Sequence, residues 1–243
     1  MQRRIEVGSV IREVFGIYVG QASVLMPAAA VVFVITGILR TLLVAAGPGT
    51  AFIAELLSFV AGMVFTGMVV ELVADVQNGR RDATATQLLR AVQPVLGQLL
   101  IVGLMYAVGV VIGLFVFVVP GLILLTIWSV AAPVVVLEHP GASRALGRSR
   151  ELVRGNGWPV FGVVAVLEIL VLILAFAIEV AAASAGSGVG IVVGVIVGVL
   201  TAPLSALAAA VLYFELRGRS REDAVEPDPS GPFQAGGYPP AAQ

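Results

Sequence analysis

Six apolar stretches, each long enough to cross a bilayer as a helix, dominate this chain, and nearly every cation lies in the polar segments between them. A helix needs roughly 20 apolar residues to span the hydrocarbon core. The stretches Gln21 to Leu43, Ala51 to Val73, Val95 to Val119, Gly121 to Leu137, Trp158 to Ala182 and Gly190 to Phe214 come close to or exceed that length. All fourteen cationic residues are arginines. Thirteen fall before the first stretch, in the second and fourth connections, or after the last stretch, and Arg40 alone sits at the opposite end. Arginine is retained on the side of a membrane from which translocation is disfavoured. The expected fold is therefore all-α: a polytopic protein of the cell (inner or plasma) membrane with six transmembrane helices in three hairpins and both termini cytoplasmic.

Hydrophobic residues make up 59% of the 243 and charged residues 12%, with a mean hydropathy of +1.04. A soluble domain with a solvated surface is excluded by that balance. The start, Met1-Gln2-Arg3-Arg4, is basic, but the apolar run begins only after Val19 and outlasts a signal-peptide core of roughly 7 to 15 residues, so it reads as a retained span. The expected organisation is an amphipathic cytoplasmic helix over residues 1–20, the transmembrane domain over 21–216, and a disordered cytoplasmic tail over 217–243. The Pro- and Gly-rich end of that tail has too little apolar surface to build a core.

Chemistry-bearing patterns are sparse. With no cysteine, disulfides, thiolate metal sites and Cys nucleophiles are ruled out. The one histidine lies in Glu138-His139-Pro140-Gly141 and reads as a turn or a cap for the following helix. There is no Gly-x-Ser-x-Gly elbow, and a Walker loop needs a lysine the chain does not have. No enzymatic activity, cofactor, metal or nucleic-acid partner is expected.

Each odd-numbered span follows an amphipathic segment. Val7, Val10, Ile11, Val14, Phe15 and Tyr18 recur at helical spacing before the first, with Arg12 on another face; Ala142, Ala145, Leu146, Ser149, Leu152 and Val153 do so before the fifth, opposite Arg144 and Arg148. Leu88, Leu89 and Val92 form a weaker stripe around Arg90. Such helices lie in the headgroup plane, arginines on anionic lipid and apolar stripe in the acyl chains. Arg12, Arg144, Arg148, Arg150 and Arg154 are accordingly the candidate lipid contacts, with anionic headgroups the expected partner and another membrane or cytoplasmic protein the second. Arg12, Arg90 and Arg150 precede Gly20-Gln21, Gly97-Gln98 and Gly157-Trp158 by seven or eight residues. Internal duplication and a shared membrane-entry constraint both account for that spacing.

Within the spans, Gly186, Gly190, Gly194, Gly198, Ala202, Ala206 and Ala210 recur every four residues and make one small-residue ridge. Close backbone approach drives helix association in lipid, so Gly190, Gly194, Gly198 and Ala202 are expected to pack inside the bundle rather than to dimerise it. Pro27, Pro133 and Pro203 are expected to kink the first, fourth and sixth spans. Glu168 and Glu179, eleven residues apart, return to nearly one azimuth of the fifth span. Glu179 and Arg40 fall near the outer interface, where pairing of Arg40 with Glu179 or with Glu55 neutralises costly charges. Glu168, ~15 Å deep, has no cation at its level. That leaves it protonated, bonded to a polar neighbour, or facing a wet cavity as part of a transport path.

From Val119 to Val163 the order of residues is specific. Pro120-Gly121 opens a span, Glu138 closes it, Ala145-Leu146-x-Arg148-Ser149 and Glu151-Leu152-Val153-Arg154-Gly155 follow, and Trp158 enters the next span. This resembles the six-helix membrane domain found beside some bacterial glycerophosphodiester phosphodiesterases and in related stand-alone membrane proteins of uncharacterised role. The likeness extends more loosely over residues 5–216, where Gly79-Arg80 also fits. It implies the membrane module, with Arg148-Ser149 and Glu151 to Gly155 as an inner signature that pins the interfacial helix to the bundle. It implies no catalytic residue: the His-Arg-Gly start of the phosphodiesterase domain does not occur, and the one Glu-x-Asp, Glu226-Pro227-Asp228, lies in the tail.

The leading functional expectation is a non-enzymatic integral membrane protein that serves membrane organisation or homeostasis, or scaffolds a partner, through basic interfacial helices. The alternative is a small transporter or channel for ions or lipid-like solutes built around Glu168.

Overall fold

A computed structural model describes residues 6–80, 83–183 and 187–225; within these, the side chains of 48, 177–179, 181–191 and 221–225 are not described. The elements are α1 (Val7–Gly20), α2 (Ala22–Ala45), α3 (Ala51–Gln77), α4 (Ala85–Val92), α5 (Leu96–Val116), α6 (Val118–Ile127), α7 (Ala131–Glu138), α8 (Ala142–Val153), α9 (Gly157–Ala183) and α10 (Ser187–Val225). No strand occurs among the described residues. With α4 continuing into α5 through a 3₁₀ turn, and α6 with α7 forming one segment, six helices are long and apolar enough to cross a membrane. The fold is all-α, and this architecture fits a multi-pass membrane protein.

Buried side chains concentrate in the half of the bundle where α1, α4 and α8 pack. Val10, Val14, Phe65, Leu72, Leu99, Val134, Leu207 and Tyr213 are all fully enclosed there. Toward the other end, Ile35, Ile38, Leu42, Phe52, Ile53, Val111, Ile112 and Phe115 point outward, the surface that acyl chains rather than water would cover. The hairpin between α5 and α6 closes by direct backbone approach. A Cβ added at Gly113 would lie 2.8 Å from the Gly121 Cα, and one at Gly121 would lie 2.6 Å from the Leu114 amide nitrogen.

Several expectations are corrected here. The fourth span, expected to run unbroken from Gly121 to Leu137, is interrupted over Trp128–Val130. Pro133 explains the break: its ring clashes with, and donates nothing to, the carbonyl of residue 129, so the proline sits in the first turn of a new helix, where no N–H is needed. The Ile127 carbonyl at the end of α6 is taken up by the hydroxyl of fully buried Ser149, at 2.8 Å. The stripes of α1 and α8 also turn mostly into the bundle, although Phe15 of α1 stays exposed. Val10 and Val14 of α1, and Ala145, Leu146, Ser149, Leu152 and Val153 of α8, are buried among the other helices. Burial against protein wins because both stripes find apolar partners on α10.

The sixth helix passes the expected boundary at 216/217 and ends at Val225. An ion pair one turn apart, Arg219 to Glu215 at 3.7 Å, and the Arg217 guanidinium over the Tyr213 ring support the added turns. Residues 226–243 of the expected tail lie outside the described residues. The small-residue ridge is divided. Ala206 and Ala210 are buried, Ala202 is half-buried, and Gly198 lets Phe33 of α2 approach, whereas Gly194 is exposed with open space around it. The close approach of α2 to α10 comes instead from Gly37, where a Cβ would sit 2.7 Å from Val195. Gly186 and the surroundings of Gly190 lie outside the described residues.

Candidate functional site

An apolar bundle can hold a polar side chain only if it supplies a partner, and at the arginine-rich end it supplies several. Glu138 is the last residue of α7. The helix stops because His139 takes a left-handed conformation, φ 53°, and Pro140 follows. The Tyr213 hydroxyl of α10 donates to Glu138 Oε1 at 2.9 Å, and Arg148 Nε of α8 donates to Oε2 at 3.3 Å. Arg148 also reaches Glu151 at 3.3 Å. One carboxylate thus ties three helices together, and the bond from Ser149 to Ile127 anchors α8 a second time. Gly155, φ 85°, supplies the left-handed turn that lets α9 start directly after α8.

A second polar group lies between α1, α3 and α10. Gln77 Nε2 donates to Glu13 at 2.9 Å, with Glu215 close enough to repel it. Burial pushes the Glu13 carboxyl above the usual carboxylate range; the Gln77 bond opposes that rise and Glu215 adds to it. A raised carboxyl favours folding when protonated, so the cost of its charge appears as pH climbs past the ordinary carboxylate value and is complete above the raised one. Glu13→Gln is expected to raise the thermal midpoint in detergent by roughly 2–4 °C at pH 7, with the gain vanishing below about pH 4. A gain that persists at the acid end would show that charge is not its cause.

The remaining candidates separate clearly. Arg12, Arg144, Arg150 and Arg154 are exposed, as is Arg90. Arg148 is set apart from them by its ion pairs, with Glu138 and Glu151 at 3.3 Å each. Arg40 pairs with Glu55, both Nε and Nη2 reaching the same carboxylate oxygen at 3.1 and 2.7 Å; the side chain of Glu179 lies outside the described residues. Glu168 is half-buried on α9, within electrostatic reach of Tyr106 on α5. A small void of about 10 Å³ lies elsewhere, lined by apolar side chains such as Leu25, Phe65 and Leu72. No set of three or more His, Cys, Asp or Glu among the described residues is placed to hold a metal. The Glu138–Tyr213 and Glu13–Gln77 contacts were not anticipated: the residues are 75 and 64 positions apart, and no local pattern links them.

Residues 83–219, more than half of the chain, match a family described as a domain of unknown function, DUF8558. The chain belongs to the DUF8558 family. No curated protein and no solved structure matches it. The DUF8558 segment runs from just before α4 into the last turns of α10, and so contains the Glu138–Arg148–Tyr213 tie, the Gly113–Gly121 approach and α8 with its exposed arginines.

Proposed function

We propose that this DUF8558 protein is a non-enzymatic inner-membrane protein whose arginine-rich end, on the cytoplasmic side, binds anionic phospholipid and so organises the membrane around it or presents a partner there. One observation carries the reading: Arg144 and Arg150 of α8, and the Arg154 that caps its end, stay exposed while the apolar stripe of the helix is locked into the bundle. The fold holds these cations outward without needing lipid to order the helix, and a juxtamembrane arginine contributes about 1 kcal/mol of attraction to an anionic surface. The resemblance to the membrane domain of the glycerophosphodiester phosphodiesterases supports the same reading, since it brings the module and its inner signature without an enzyme.

The purified chain in nanodiscs should be more stable with phosphatidylglycerol than with phosphatidylcholine. Arg144→Gln, Arg150→Gln and Arg154→Gln together are expected to remove most of that preference, a loss on the order of 2–3 kcal/mol. Equal midpoints for wild type and triple variant in both lipids would refute the reading. The transport alternative rests on Glu168; ion or solute flux into proteoliposomes abolished by Glu168→Gln would favour it instead.

A further inference from the structure

Gly147 occupies the middle of α8, where glycine weakens a helix relative to alanine. Nothing in the fold uses its missing side chain. It is exposed, a Cβ there would meet nothing within 4 Å, and its φ is ordinary for a helix. On the helix surface Arg144 and Arg150 lie about 60° to either side of it, and Arg154 lies almost directly in line two turns on. Glu151 shares this face, but its carboxylate is engaged by Arg148. The bare backbone at Gly147 is therefore flanked on the helix surface by arginine positions; the Arg144 guanidinium itself turns back toward Gly141, 3.8 Å from where a Cβ there would stand, and Arg150 and Arg154 carry the planar donor forks suited to phosphate.

The depth of the gap is marked by Trp158. This indole, 85% exposed and edge-on to Phe161 at 6.2 Å, stands at the start of α9, four residues after Arg154. Exposed tryptophan at the end of a span settles at the headgroup level, and further along α9 the outward residues turn aliphatic at Ile169, Leu172 and Ile173. A tryptophan at that level would set Arg154, four residues earlier, close to the lipid phosphates.

The geometry points to a discrete seat for the phosphate of an anionic phospholipid on the outer face of α8, with Gly147 as its floor, Arg150 and Arg154 as its donors, Arg144 at its edge and Trp158 fixing its level. This rests on the lipid-binding reading above and names where the lipid sits. The test is a titration of short-chain phosphatidylglycerol, with phosphatidylcholine as control, into the full chain in neutral detergent, read by native mass spectrometry and by thermal midpoint. Gly147→Leu is expected to bind phosphatidylglycerol about tenfold more weakly while folding normally, because the leucine fills an open gap. Gly147→Ala is expected to raise the midpoint without lipid and to weaken binding by a smaller factor. Wild-type binding by Gly147→Leu overturns the seat. If the triple arginine variant has meanwhile lost its preference, the lipid-binding reading stands and only the seat falls; if that variant also binds normally, both fall.

Discussion

Gly121→Val is expected to destabilise the protein by about 3 kcal/mol, the upper range for overpacking, read as a drop in the thermal midpoint in detergent. The cause is backbone against backbone. A Cβ at Gly121 lands 2.6 Å from the Leu114 amide nitrogen and also meets the Leu114 side chain, and the reciprocal position, Gly113, faces the Gly121 Cα at 2.8 Å. A flexible side chain can rotate away from an intruding methyl, but two main chains joined by a connection as short as Phe117 cannot separate without opening the hairpin. Gly113→Ala should cost a comparable amount, and the double substitution less than the sum, since the first already parts the helices. Gly194→Ala serves as the contrast: it lies in open space and should be neutral or slightly stabilising. A Gly121→Val protein as stable as wild type would show that the α5–α6 approach is looser than described.

Much of this architecture was legible because membrane spans are written in a one-dimensional code of length and hydropathy. All six spans emerge near their expected positions, and so do α1 and α8, whose stripes recur at the helical period. What that code omits is the direction a stripe faces. Val10, Val14 and Leu152 look the same in sequence whether they meet acyl chains or α10, and only the tertiary partner decides. Arg148 likewise carries the same charge as Arg144 and Arg150, yet it is the one whose guanidinium pairs with Glu138. The pairing of Arg40 with Glu55 was legible as one of two choices, because both residues lie near the same end of adjacent spans. The ridge on α10 failed partway, at Gly194, because regular spacing of small residues records permission to pack and does not name a neighbour.

Glu138→Ala is the second large effect, about 2–4 kcal/mol, and its pattern across related variants separates a structural tie from mere bulk. Removing the carboxylate takes a partner from two groups but strands only one. The Tyr213 hydroxyl belongs to a fully buried side chain and loses its acceptor, whereas Arg148 keeps Glu151. An unpaired buried donor costs about 1–3 kcal/mol, and bonds to charged groups lie toward the stronger end of the scale. Glu138→Gln keeps an oxygen for Tyr213 and should cost about half as much. Tyr213→Phe removes the hydroxyl but leaves Glu138 with Arg148, so it should cost about 1 kcal/mol. The decisive measurement is the double variant Glu138→Ala/Tyr213→Phe. Once the carboxylate is gone the stranded hydroxyl is itself a penalty, so deleting it should recover stability, leaving the double variant more stable than Glu138→Ala alone. Strict additivity would mean that the two residues do not act through the 2.9 Å bond between them. Because that bond and the Arg148 contact join α7, α8 and α10, its loss should also free α8, and the lipid preference carried by Arg144, Arg150 and Arg154 should weaken in Glu138→Ala although none of those arginines has been touched.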